Sequence, residues 1–190
     1  MLSGGDILKE TGRQIFHALL GLVLILFISY FGRVHTIYLL SATLFLGFLL
    51  INFTMRGFNL PIISRFLHIF ERETARLPGY GSAWYIIGLL ICCLLIPNSN
   101  QIAAAILVLA LGDAAATIFG AKGKVPLPYN SKKSLEGTLA FFIFSLSSYI
   151  FIGWYAIPLA LIAALAESLP WKLDDNLIIS LTCSIFFYLI

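Results

Sequence analysis

The chain has 190 residues, of which 60% are hydrophobic and only 11% are Asp, Glu, Lys or Arg, with a formal net charge of +3. An ordinary soluble domain carries about 25% charged residues, so this composition excludes a water-soluble globule and makes the bilayer the main solvent. The small net charge, with no basic stripe interleaved with aromatics, excludes nucleic acid as a partner.

A spanning helix needs roughly 20 apolar residues, which gives room for about six to eight spans and little else. A single membrane-embedded domain over residues 1–190 is expected. Seven apolar segments follow in chain order: Gln14–Phe31, Thr36–Met55, Ser82–Ile96, Gln101–Ala121, Thr138–Tyr155, Ala156–Leu169, and Asn176 to the C-terminus. Backbone polar groups in lipid must be paired within the protein. Runs this uniformly apolar imply helices, because barrel strands would alternate. The expected fold is therefore all-α and polytopic, with about seven transmembrane helices. No cleavable leader is expected, since the first run is long enough to be a permanent span. Cys92, Cys93 and Cys183 lie inside apolar runs and read as small helix residues rather than a disulfide framework.

Two connections are long. In the first, Ile62–Leu77 places Ile63, Phe66, Leu67 and Phe70 on one side and Arg65, Glu71, Arg72 and Arg76 on the other. That pattern predicts an amphipathic helix in the membrane interface. The second connection, residues 122–137, is rich in Lys, Pro and Gly.

With seven spans, eleven of the twelve Lys and Arg residues fall on the side of the N-terminus, and Arg33 stands alone on the other. Positive charge in short loops marks the cytoplasmic side. Eight acids, among them Glu10, Glu136, Glu167, Asp174 and Asp175, gather at that same face. Topology requires only the bases to segregate, so the acids call for another explanation.

Asp113 lies deeper, within the fourth segment. A carboxylate at membrane depth costs roughly 2.5–3.5 kcal/mol and marks a functional site by default, although pairing with an Arg of a neighbouring span would also hold it. Gly112, Ala116 and Gly120 form a small-residue row that permits close helix contact. Lys122, Lys124, Lys132 and Lys133, with Ser134 and Gly137 at a helix start, suit a polyphosphate; a lipid-headgroup anchor uses similar residues. Glu167 with Asp174, Asp175 and Asn176 offers hard oxygens to Mg²⁺, and plain helix capping is the other reading of the two aspartates. Asp6, Glu10, Arg13 and His17 share one face entering the first span. The combination points to phosphoryl transfer, which needs positioning, a metal and charge stabilisation, onto an acceptor drawn from the membrane.

Gly112-Asp113-Ala-Ala-Ala followed, past Gly120, by Lys133-Ser134-Leu135-Glu136-Gly137-Thr138 resembles the CTP-dependent lipid-alcohol kinases. These include dolichol, phytol and diacylglycerol kinases, and are distantly similar to phosphatidate cytidylyltransferases. Glu10-x-x-Arg13-x-x-x-His17 resembles the N-terminal motif of that family, and Glu167 with Asp174-Asp175-Asn176 its C-terminal one. The chain departs at Gln14, where the family usually has Lys.

The resemblance implies transfer of the γ-phosphate of CTP to a lipid alcohol with Mg²⁺ or a similar ion. It implies catalytic or metal roles for Asp113, Glu167, Arg13, His17, Asp174 and Asp175. Nucleotide or phosphate contacts would come from Lys122, Lys124, Lys132, Lys133, Ser134, Glu136, Gly137 and Asn176. A cytidylyltransferase making a CDP-lipid is the near alternative, although its Ser-Pro-Lys-Lys-Thr pattern is here Ser131-Lys132-Lys133-Ser134. An ion or metabolite transporter is the alternative from another class.

Overall fold

The computed structural model describes residues 4–58, 61, 65 and 79–190, with side chains from Glu10 onward. Apart from Arg65, the expected interfacial helix Ile62–Leu77, with Glu71, Arg72 and Arg76, lies outside these residues, as does the side chain of Asp6. The fold is mostly helical. Helix α1 (Gly4–Met55) leads to α2 (Tyr80–Leu95) and α3 (Ser99–Leu107). A π-helical turn (Val108–Gly112) joins α3 to α4 (Asp113–Gly120). A small antiparallel pair follows, β1 (Pro126–Leu127) and β2 (Asn130–Ser134). Then come α5 (Leu135–Ser145), α6 (Tyr149–Ile152), α7 (Ala156–Ser168) and α8 (Asp175–Leu189).

Among the described residues, three helical runs are long and apolar enough to cross a membrane: Glu10–Met55, Ser99–Gly120 and Leu135–Ser168. Two of them are broken inside. Gly32 has φ 76° and ψ 176°, which separates a first limb of α1 (4–31) from a second (33–55). Gly153 has φ 57° and breaks the third run between α6 and α7. Both breaks need a backbone conformation that glycine adopts without steric cost.

The Ser99–Gly120 run is the centre of the bundle. Every residue from Ile102 to Ala110 is buried, as expected for a helix apolar on all sides. Around it, the first limb of α1 and α2 run in the same direction. The His17 ring stacks on Tyr85 at 4.6 Å, and further along Arg33 donates to the carbonyls of Cys93 and Leu94 at 2.6 and 2.8 Å. Arg33 thus satisfies two of the orphan carbonyls that close α2.

Helix α8 lies along α2, where a Cβ added at Gly88 would meet Ser180 Oγ at 2.5 Å. The small-residue row of α4 faces α5. A Cβ at Gly137 would stand 2.9 Å from the Ala116 carbonyl and 3.0 Å from Gly120 Cα. The outer surface is apolar, with Val23, Leu26, Phe45, Ile143, Ile150 and Leu161 all exposed. Soluble monomers rarely expose such continuous apolar area. With the long apolar helices, it makes this a membrane protein.

Candidate active site

The site is built where α4, α7, α8 and the β-hairpin meet. Asp113 is the first residue after the π-helical turn. Such bulges occur frequently at functional sites, because the extra residue re-aims the side chains that follow. Glu167 is on the last turn of α7 and is 2% exposed. Asp175 opens α8. Carboxylate oxygens of these three acids lie within 4.8 Å of one another.

Three carboxylates brought together need a counter-charge. Lys133, on β2, supplies it: its Nζ donates to Glu167 Oε1 and, at 2.9 Å, to Asp175 Oδ2. Burial opposes the charge on Lys133, but the Glu167 and Asp175 carboxylates outweigh it and hold the ammonium's pKa above the usual lysine value. The other Glu167 oxygen, Oε2, is buried without a hydrogen-bond partner among the described residues. A buried charged oxygen left unpaired is costly. Three hard oxygen donors, one of them orphaned, fit a small divalent cation such as Mg²⁺. Asp113, Glu167 and Asp175 would hold it.

The neighbouring acid behaves differently. Asp174 is the N-cap of α8, its Oδ1 accepting from the Asn176 backbone N–H at 3.1 Å and from Asn176 Nδ2 at 2.8 Å. It is spent on capping and is not one of the three converging acids. Asn176 is buried, with its Oδ1 unpartnered among the described residues.

The basic loop divides into two sets. Lys122, Lys124 and Lys132 are exposed on its outer side, whereas Lys133 turns inward. Ser134 caps α5, accepting from the Gly137 N–H at 3.2 Å and donating to the Gly120 carbonyl at 3.4 Å. The Leu135 N–H donates to the Val125 carbonyl at 2.8 Å. Glu136 accepts from the Lys124 N–H at 2.7 Å and from the Val125 N–H at 3.3 Å. Ser134, Glu136 and Gly137 therefore brace the loop against the helix start, and two of the helix's first N–H groups are already used.

On the first limb of α1, Arg13 is buried and paired with Glu10 at 2.5 Å. Its charge and that of Lys133 both act on Asp113. His17 sits deeper, against Tyr85, whose hydroxyl donates to the His17 carbonyl at 2.9 Å. Gln14, 1% exposed, donates to Thr117 Oγ1 at 3.1 Å, one turn beyond Asp113. The amide at position 14 thus ties the first limb to the acid-bearing helix.

Two further residues, Tyr129 and Asn130 of the hairpin, belong to no motif in the sequence and reach α7. The Tyr129 hydroxyl is 2.9 Å from Ser168 Oγ, and Asn130 Nδ2 donates to the Ser168 carbonyl at 2.9 Å. Turn-forming Pro, Tyr and Asn in a loop carry no sign of a long-range partner.

No family model and no solved structure matches the chain. It is 38% identical over 173 residues to the uncharacterized protein MJ1137 of Methanocaldococcus jannaschii, an alignment covering 90% of this chain and 88% of that protein. At that identity and coverage the chain belongs to the family of this M. jannaschii protein.

Proposed function

We propose that the chain is a polytopic lipid-alcohol kinase that moves the γ-phosphate of CTP onto a long-chain alcohol at the cytoplasmic face. The reading takes α1 as two crossings split at Gly32 and the Leu135–Ser168 run as two split at Gly153, for seven in all. The eleven-to-one distribution of cationic residues sets the sidedness. The observation that carries the reading is the convergence of Asp113, Glu167 and Asp175 beneath a lysine-rich hairpin. Acids that gather a cation and bases that gather phosphates are the two halves of a phosphotransferase site. The choice of CTP and of a lipid alcohol comes from the sequence resemblance.

In the reaction the alcohol oxygen bonds to the γ-phosphorus and the bond from that phosphorus to the β–γ bridging oxygen breaks. The products are the lipid phosphate and CDP. A divalent ion held by the three acids would offset the charge of the phosphates. Lys122, Lys124 and Lys132 attract the nucleotide, and Arg13 faces the charge that develops near Asp113. Asp113 has no hydrogen bond to Lys133. We assign its carboxylate to accept the hydrogen bond of the acceptor hydroxyl and to take the proton as the new bond forms.

Purified protein incubated with CTP labelled in the γ-phosphate, Mg²⁺ and a panel of polyprenol, dolichol, phytol and diacylglycerol acceptors tests this. Labelled lipid phosphate with CDP is expected. Pyrophosphate and a CDP-lipid, formed when a lipid phosphate is supplied in place of the alcohol, would instead make the protein a cytidylyltransferase.

A further inference from the structure

The hairpin that carries Lys133 is fixed at both ends. Its root is held by Glu136 on the Lys124 and Val125 N–H groups and by the Ser134 cap. Its tip is held on the end of α7. Ser168 is fully buried, and its hydroxyl donates to the Leu165 carbonyl at 2.7 Å. That leaves Ser168 Oγ as the acceptor, so the Tyr129 hydroxyl is the donor in their contact. Asn130, itself buried, adds its bond to the Ser168 carbonyl and accepts the Lys132 N–H at 3.3 Å. The residue holding the hairpin tip, Ser168, directly follows the residue that Lys133 engages, Glu167. Between tip and root the strand has little freedom, and Lys133 is delivered to the carboxylates by the backbone.

We propose that Tyr129 and Asn130 form a latch on Ser168 that seats Lys133 among the carboxylates, and so controls how tightly the acid cluster holds a divalent cation. The inference rests on the reading of that cluster as the cation site of a phosphotransferase. Lys133 and a metal ion compete for the same oxygens. A latched hairpin keeps the ammonium on Glu167 and Asp175, and the cation must share them. An unlatched hairpin frees those oxygens and takes the lysine away from the incoming phosphates. Tyr129 and Asn130 are thus positioning residues that act through Lys133.

The test is Mn²⁺ binding to the purified full-length protein, read from the electron paramagnetic resonance of free Mn²⁺, for the wild type, Asn130→Ala, Tyr129→Phe and Lys133→Met, and for the latch variants combined with Lys133→Met. Each latch variant should tighten Mn²⁺ binding by about three- to tenfold, the scale of one hydrogen bond. The same change made on top of Lys133→Met should have no effect, because interacting residues are non-additive. Tyr129→Phe, at a half-exposed tip, serves should Asn130→Ala not fold. Unchanged Mn²⁺ affinity in the folded latch variants overturns the proposal, as does an equal change with and without Lys133. In turnover assays the latch variants should raise the KM for CTP and leave that for the alcohol unchanged; an equal rise in both counts against the latch. A wild type that binds Mn²⁺ but phosphorylates no alcohol from CTP refutes the kinase reading alone, and the metal titration still decides the latch.

Discussion

Lys133 donates to Glu167 and Asp175, while Asp113, whose carboxylate lies within 4.8 Å of theirs, takes none of its hydrogen bonds. Replacing Asp113 with Asn relieves carboxylate repulsion and keeps the side-chain shape. CTP-dependent lipid phosphorylation should fall at least ~10²-fold, the scale of losing one preorganised electrostatic group. The thermal unfolding midpoint in detergent should hold or rise. An active Asp113→Asn protein would remove this residue from the site. Lys133 makes a separate prediction through pH. Its pKa is raised in the folded state, so its ion pairs stabilise the protein fully below the ordinary lysine value of 10.5 and are lost as pH climbs beyond it. The stability gap between wild type and Lys133→Met should therefore not narrow between pH 7 and about 9.5, and should shrink above about 10.5. A gap that narrows already between pH 7 and 9 would contradict the ion-pair assignment. At this scale the sequence singled out Asp113 from the cost of buried charge, and Glu167 as a hard-oxygen ligand grouped with Asp174, Asp175 and Asn176. It could not separate Asp174 from Asp175, because capping and ligation use the same side chain and only the start of α8 assigns them.

The elements meet through small residues. The close passage of α4 and α5 depends on Gly137, where a Cβ would press on the Ala116 carbonyl and on Gly120 Cα, both backbone and neither able to rotate away. Gly137→Val should destabilise the protein by about 1–3 kcal/mol, as overpacking does, visible as a lower midpoint in thermal or denaturant unfolding. Full stability in that variant would mean that the two helices separate without cost. The small-xxx-small row at Gly112, Ala116 and Gly120 was legible in the sequence, since steric permission depends on residue size alone. The hairpin was not. Residues 122–137 read as a Lys, Pro and Gly connection, and strands of two and five residues carry too little alternation to register. The pairing of Val125 with Leu135 and the hold of Tyr129 and Asn130 on Ser168 are long-range contacts that no local pattern encodes.

For the whole molecule, the sidedness belongs to the proposal and has its own test. Single cysteines introduced at Lys132 and at Asn98, in sealed right-side-out vesicles, should react with an impermeant maleimide only at Asn98. The native Cys92, Cys93 and Cys183 are buried and should stay silent. Labelling of Lys132→Cys from outside would invert the topology. The sequence by itself determined that the chain lives in a membrane and that it is helical, and it set the expectation for which face of the bilayer its charges favour. Each of these follows from transfer free energy, which is a sum over residues and needs no coordinates. Only the tertiary structure decided that Asp113, Glu167 and Asp175 converge, that Lys133 leaves the other lysines to join them, that Asp174 does not, and that Tyr129 and Asn130 hold the hairpin tip on Ser168. Those outcomes depend on where distant segments pack. Packing is fixed by the joint fit of helices across the bundle rather than by the chemistry of any one stretch.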